Sequence, residues 1–95
     1  MAAYLLVDCK ISDAAKYEGY KLLAQAAVAR YGGRFLVRGG EAVRLEGEWE
    51  PNRVIVVEFP SLAQARSFYD SPEYREARAA RDGAAHLNMV AVAGV

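Results

Sequence analysis

The stretch Arg53-Val-Ile-Val-Val-Glu-Phe-Pro60 constrains the fold more than any other. Its branched and aromatic side chains suit a pleated surface, and Pro60 stops the run, so it reads as a strand. Val54 to Val57 carry no polar side chain, which points to a central strand covered on both faces. Glu58 is the one interruption. Directly after it, Ser61-Leu-Ala-Gln64 matches a capping box: the hydroxyl serves the third helical amide, and Gln64 reaches back to the cap amide.

Other elements assemble around this strand. Ala3 to Ile11 alternates, with Tyr4, Leu6 and Asp8 on one face and Leu5, Val7 and Cys9 on the other. Ser12 or Asp13 caps a helix whose apolar stripe is Tyr17, Tyr20, Ala24, Ala27, Val28 and Tyr31, ended by Gly32-Gly33. A second strand runs from Arg34 to Arg38, with Phe35 and Val37 opposite in sense to Arg34, Leu36 and Arg38. Gly39-Gly40 reads as a bend, since Val43-Arg-Leu-Glu46 resumes the alternation. Past the central strand, the capped helix turns Leu62, Ala65, Phe68 and Tyr69 inward. Ser71-Pro72 starts another helix, and Leu87 to Val92 closes the chain as a strand. The order β, α, β, β, broken α, β is the ferredoxin-like βαββαβ plan: an α+β fold, one four-stranded antiparallel sheet with helices on one face. Residues 1–95 make one domain.

Twelve basic and twelve acidic side chains cancel, so no electrostatic footprint for nucleic acid or an anionic membrane is visible. The open sheet face lacks the aromatic platform that RNA-binding versions of this plan use. No apolar run approaches the ~20 residues of a membrane helix, and no signal peptide is apparent. With a single cysteine, Cys9, there is no disulfide framework, and a cytoplasmic location is expected.

Helices cover one face only, which leaves Leu6, Leu36, Val54, Val56, Val90 and Val92 on the other. Exposed, these six would reach or exceed the ~300–600 Å² patch of a typical monomer, so a homodimer packed sheet to sheet is expected. The same face is expected to carry Asp8, Arg38 and Glu58, with Asn88 and Tyr4 near them and Arg34 and His86 at the margin. In this strand order Asp8 and Glu58 are expected side by side, with Arg38 one strand away. Such a cluster suits a small organic carboxylate: Arg38 orients it with Asn88 and Tyr4, and Glu58 or Asp8 moves a proton, two close carboxylates pushing one pKa upward. The alternative is an ion-pair network that only fixes the dimer.

Several motifs in register carry a resemblance. Tyr31-Gly-Gly-Arg-Phe-Leu-Val-Arg-Gly-Gly40, Leu45-Glu-Gly47 with Trp49, Pro51 and Arg53, Val57-Glu-Phe-Pro-Ser61, and Tyr69-Asp-Ser-Pro-Glu-Tyr74 resemble domain of unknown function 1330 across nearly the whole chain. The resemblance implies a dimeric α+β barrel, an architecture whose members include cofactor-independent monooxygenases and isomerases of small, often aromatic, molecules. Isomerase, lyase or oxygenase activity, or ligand binding without catalysis, is therefore expected.

The remaining residues favour plainer duties. His86 is the only imidazole and shows no ligand spacing, so neither a metal nor a cofactor is expected. Cys9 alternates with Leu5 and Val7 as a buried thiol. Neither glycine pair continues into a phosphate-binding loop, and Ser67 and Ser71 lack a triad partner. Trp49 reads as a dimer-packing anchor.

Overall fold

The computed structural model describes residues 1–95. In chain order it holds β1 (Ala3–Ile11), α1 (Ala14–Arg30), β2 (Arg34–Arg38), β3 (Arg53–Phe59), α2 (Leu62–Asp70), α3 (Pro72–Ala80) and β4 (Ala85–Ala93). The strands form one antiparallel sheet in the order β2-β3-β1-β4, so the Val-rich run is an interior strand as expected. This is the ferredoxin-like arrangement. No helix is long and apolar enough to cross a membrane.

Local chemistry sets the helix ends. Asp13 accepts the Lys16 amide at 3.1 Å, and Gly32, at φ +78°, turns the chain out of α1. Ser61 caps α2 by accepting the Gln64 amide at 3.1 Å. The Gln64 side chain does not complete the box; it donates to the Tyr31 carbonyl at 2.9 Å and so ties the start of α2 to the end of α1. Ser71 accepts the Tyr74 amide at 3.1 Å, with Pro72 at the first helical position.

The helix-side core joins Leu5, Val7, Cys9, Val57 and Phe59 from the sheet to Tyr17, Tyr20, Ala27, Val28, Phe68 and Tyr74. An aromatic chain runs through it: Phe59 against Phe68 with centroids 5.0 Å apart, Phe68 against Tyr74 at 4.5 Å, and Tyr74 against Tyr20 at 6.2 Å. Leu62 and Tyr69, expected inward, stay partly exposed.

Two expectations for β2 and the loop after it fail. The alternation at Val43–Glu46 is not a strand: residues 39–52 form an irregular loop in which Leu45 is 93% exposed, with no neighbouring strand to pair with. The irregularity expected at Gly39-Gly40 lies earlier, between Phe35 and Val37, where β2 shifts register against β3. The extra residue reverses the facing of the side chains after it. Val37 therefore pairs with Val56 on the open face, and Arg38 pairs with Ile55 on the helix side.

Candidate functional site

The register divides the open face into three rows. Val37, Val56, Leu6 and Val90 form an apolar row across all four strands. Arg34, Glu58, Tyr4 and Val92 make the row at one end; Val54, Asp8 and Asn88 make the row at the other. Asp8 and Glu58 are therefore not side by side. Glu58 lies opposite Tyr4, four residues from Asp8, which is roughly 13 Å along the strand. The expected pair of carboxylates is not assembled, and Arg38 sits on the opposite face from both. The strands are neighbours as expected, but their register separates the groups.

Each carboxylate has its own partner. Glu58 accepts the Arg34 Nε at 2.7 Å. Asp8 accepts the Asn52 backbone N–H at 2.9 Å and the Trp49 indole N–H at 3.0 Å, fastening the 39–52 loop to the sheet. Those bonds, the Asn52 amide first and the indole second, hold the Asp8 carboxyl below its ordinary value. A folded-state pKa that is lowered stabilises the fold above the ordinary value of 3.8 and loses that contribution as pH falls through the depressed one. Trp49 fluorescence is expected to report release of the loop below pH 3.8, and Asp8→Asn to abolish this transition. An acid titration of Asp8→Asn identical to the unmodified protein would show that Asp8 does not hold the loop. Beside this anchor, Leu6, Asp8, Trp49, Val54, Asn88 and Val90 line a shallow hollow of about 450 Å³.

A second cavity enters the molecule between α1 and the helix side of the sheet. It is narrow, offering about 40 Å³ of free space on the measure that gives about 450 Å³ for the open-face hollow. Leu5, Val7, Ala24, Val28, Ile55 and Phe68 are among its apolar walls, and the hydroxyl-bearing Tyr17, Tyr20 and Tyr74 reach it. Cys9 Sγ and the Tyr17 hydroxyl are hydrogen-bonded at 3.4 Å. Tyr20 and Tyr74 share a hydroxyl–hydroxyl bond of 2.8 Å. Burial, with the neighbouring thiol and hydroxyl adding to it, pushes the Tyr17 and Tyr20 hydroxyls far up, so both stay protonated.

Lys21, Arg38 and Arg53 complete the lining. Of these only Arg38 was expected near a site, and on the open face rather than here. Arg53 opens β3 beside Cys9, and its guanidinium packs on Gly39, where a Cβ would collide with Nη1. The tyrosines read as members of an apolar stripe. Their signal was the hydroxyl itself, since a buried tyrosine needs a partner where phenylalanine would not. His86, opposite Lys10 at the start of β4, is exposed and touches neither cavity.

Known structures share the fold. A protein of unknown function from Rhodopseudomonas palustris superposes with a TM-score of 0.78 at 21% identity, covering 99% of this chain and 82% of its own. SnoaB, a cofactor-independent oxygenase from Streptomyces nogalater, gives 0.67 at 14% identity, covering 99% and 93%. A dimeric ferredoxin-like protein of unknown function from Bacteroides fragilis gives 0.63 at 14%, covering 98% and 96%. No curated protein matches the chain by sequence. The family model described as domain of unknown function (DUF1330) matches residues 2–95, and the chain belongs to that family.

Proposed function

We propose that this protein is a homodimer, packed through its open sheet faces, whose subunits each bind a small organic molecule in the cavity between α1 and the sheet. One observation carries the binding site: a cavity that enters the hydrophobic core and is lined mostly by apolar side chains, with three tyrosines, Lys21, Arg38 and Arg53 among them, an apolar pocket with a few polar groups. The apolar row Val37, Val56, Leu6 and Val90 supports the dimer, as do the dimeric relatives of the same fold. In this reading Asp8 and Glu58 are structural: one fastens the loop and the other ties the β2 edge through Arg34. Asn88 and Tyr4 belong to the dimer face.

The chemistry such a pocket supports is stabilisation of an oxyanion. A tyrosine that stays protonated donates to developing negative charge but does not abstract a proton near neutrality. Enolate-type intermediates of isomerases, lyases and cofactor-independent oxygenases develop such charge, and SnoaB is an oxygenase of that kind. Native mass spectrometry of freshly purified protein tests the proposal. The expected species is a dimer carrying extra mass that leaves on denaturation, or gaining it when small aromatic molecules are added. A monomer at low micromolar concentration would overturn the dimer. A dimer that takes up no such molecule would overturn the binding site.

A further inference from the structure

We propose that the ligand of the α1–sheet cavity is an organic carboxylate, clamped at the mouth by Arg38 and Arg53 with Lys21 beside them, its apolar body directed inward. This rests on the reading that the cavity binds a small organic molecule and adds the charge that molecule carries.

The three cations come from three elements, β2, β3 and α1, and converge on one opening. No aspartate or glutamate lines the cavity. The ion pairs of the molecule are Lys21–Glu18, Arg30–Glu73, Arg34–Glu58 and Arg44–Glu50; Arg38 and Arg53 take part in none. In a chain with as many acids as bases, the two arginines at this mouth are left without a counter-charge.

Both guanidiniums are held in place. Arg38 donates Nη2 to Gln25 Oε1 at 3.1 Å, and its guanidinium lies over the Phe35 ring, 4.3 Å from the centroid. That fixes its plane and leaves most of its five donors free. Arg53 is seated against Gly39, whose φ of +74° and missing Cβ make the space. Its Nε is shut off from solvent and has no hydrogen-bond partner. Arg78 and Arg81 share that property, but their guanidiniums lie over the Tyr69 and Tyr20 rings and do not line the cavity. The buried Nε is beyond a ligand's reach, but the Arg53 Nη groups carry no hydrogen bond within the molecule, and a carboxylate supplies two acceptor oxygens in the geometry a guanidinium fork matches.

The depth of the cavity sets the remainder of the ligand. Leu5, Val7, Ile55 and Phe68 accept only an apolar end, and free space of about 40 Å³ admits little more than its tip. The acid group therefore stays at the mouth.

Amide-resolved NMR titration of the protein with benzoate and phenylacetate, against neutral benzamide and benzyl alcohol, tests this. The acids are expected to shift the amides of Lys21, Arg38 and Arg53 and to bind at least about tenfold more tightly than the neutral isosteres. Arg38→Met and Arg53→Met are each expected to weaken the acids about 10- to 100-fold and leave the isosteres unchanged. Isosteres that bind the same amides as tightly as the acids would overturn the carboxylate and leave the cavity reading intact. If neither class moves these amides, both readings fall. The comparison of acids with isosteres in the unmodified protein stands even where a variant does not fold.

Discussion

Phe68→Ala is expected to destabilise the fold by about 3–5 kcal/mol, the range for truncating a fully buried aromatic side chain. Phe68 is 1% exposed and, apart from Ala65, is the only residue α2 buries. It stacks on Phe59 below it at 5.0 Å and on Tyr74 beside it at 4.5 Å, so it joins sheet, α2 and α3 at one point. Truncation leaves a hole that neighbours held in three different elements cannot all close. Small domains have about 5–15 kcal/mol in total, so the variant would lose a large share of its stability. For a chain of this length each kcal/mol moves Tm by about 4–8 °C, giving a fall of roughly 12–40 °C. Phe68→Leu, which keeps much of the volume, is expected to lose less than half as much. Chemical denaturation at one protein concentration makes the measurement, since association would itself add stability. A loss under about 1 kcal/mol would show that the aromatic chain does not pin the helices.

What the sequence disclosed and what it withheld divide along a physical line. Periodicity and capping are local, so the strands, the α1 stripe and the caps at Asp13, Ser61 and Ser71 were legible from neighbouring residues alone. Gln64 shows the limit: its residue type suits a capping box, yet the end of α1 offers the Tyr31 carbonyl, a partner brought close only by the fold. Register is less local still. A one-residue bulge at Leu36 exchanges the faces of Val37 and Arg38, and it moves Arg38 from the open face, where it was expected, to the helix side. The glycines at 39 and 40 signal irregular backbone but not its site. Gly39 has a different task, making room for Arg53. Asp8 and Glu58 suggest one site because their strands are neighbours. Pairing depends on how far one strand slides along the other, and nothing in either strand's composition specifies that. The loop at 39–52 alternates like a strand because Val43 and Leu45 are apolar, but an alternating pattern without a partner strand has no ladder to join.

Leu6→Asp is expected to dissociate the proposed dimer while leaving the subunit folded. Leu6 lies at the centre of the open face, opposite Val56 on one side and Val90 on the other, and remains 41% exposed within the single subunit. A carboxylate there meets solvent in the monomer, so the fold loses little. In a face-to-face pair it would be enclosed among valines, and a two-fold axis places one such charge on each partner. The charges able to neutralise it are committed elsewhere: Arg34 is bonded to Glu58 in the neighbouring row, and Arg38 lies on the other side of the sheet. An unpaired carboxylate without hydrogen-bond partners costs several kcal/mol to enclose, so the dimer is expected to weaken by about 4 kcal/mol or more, roughly a thousandfold in Kd. Sedimentation equilibrium gives the association state, and far-ultraviolet circular dichroism checks the fold. Glu58→Gln separates this effect from a general loss of face polarity. It removes a charge at the edge of the same face and breaks the pair with Arg34, and it is expected to alter association by no more than about tenfold, as for a rim contact. If Leu6→Asp stays dimeric, the two copies meet elsewhere, and the apolar row serves another purpose. If both variants dissociate equally, the polar end row rather than the valine row holds the pair together, and Glu58 regains a part in assembly.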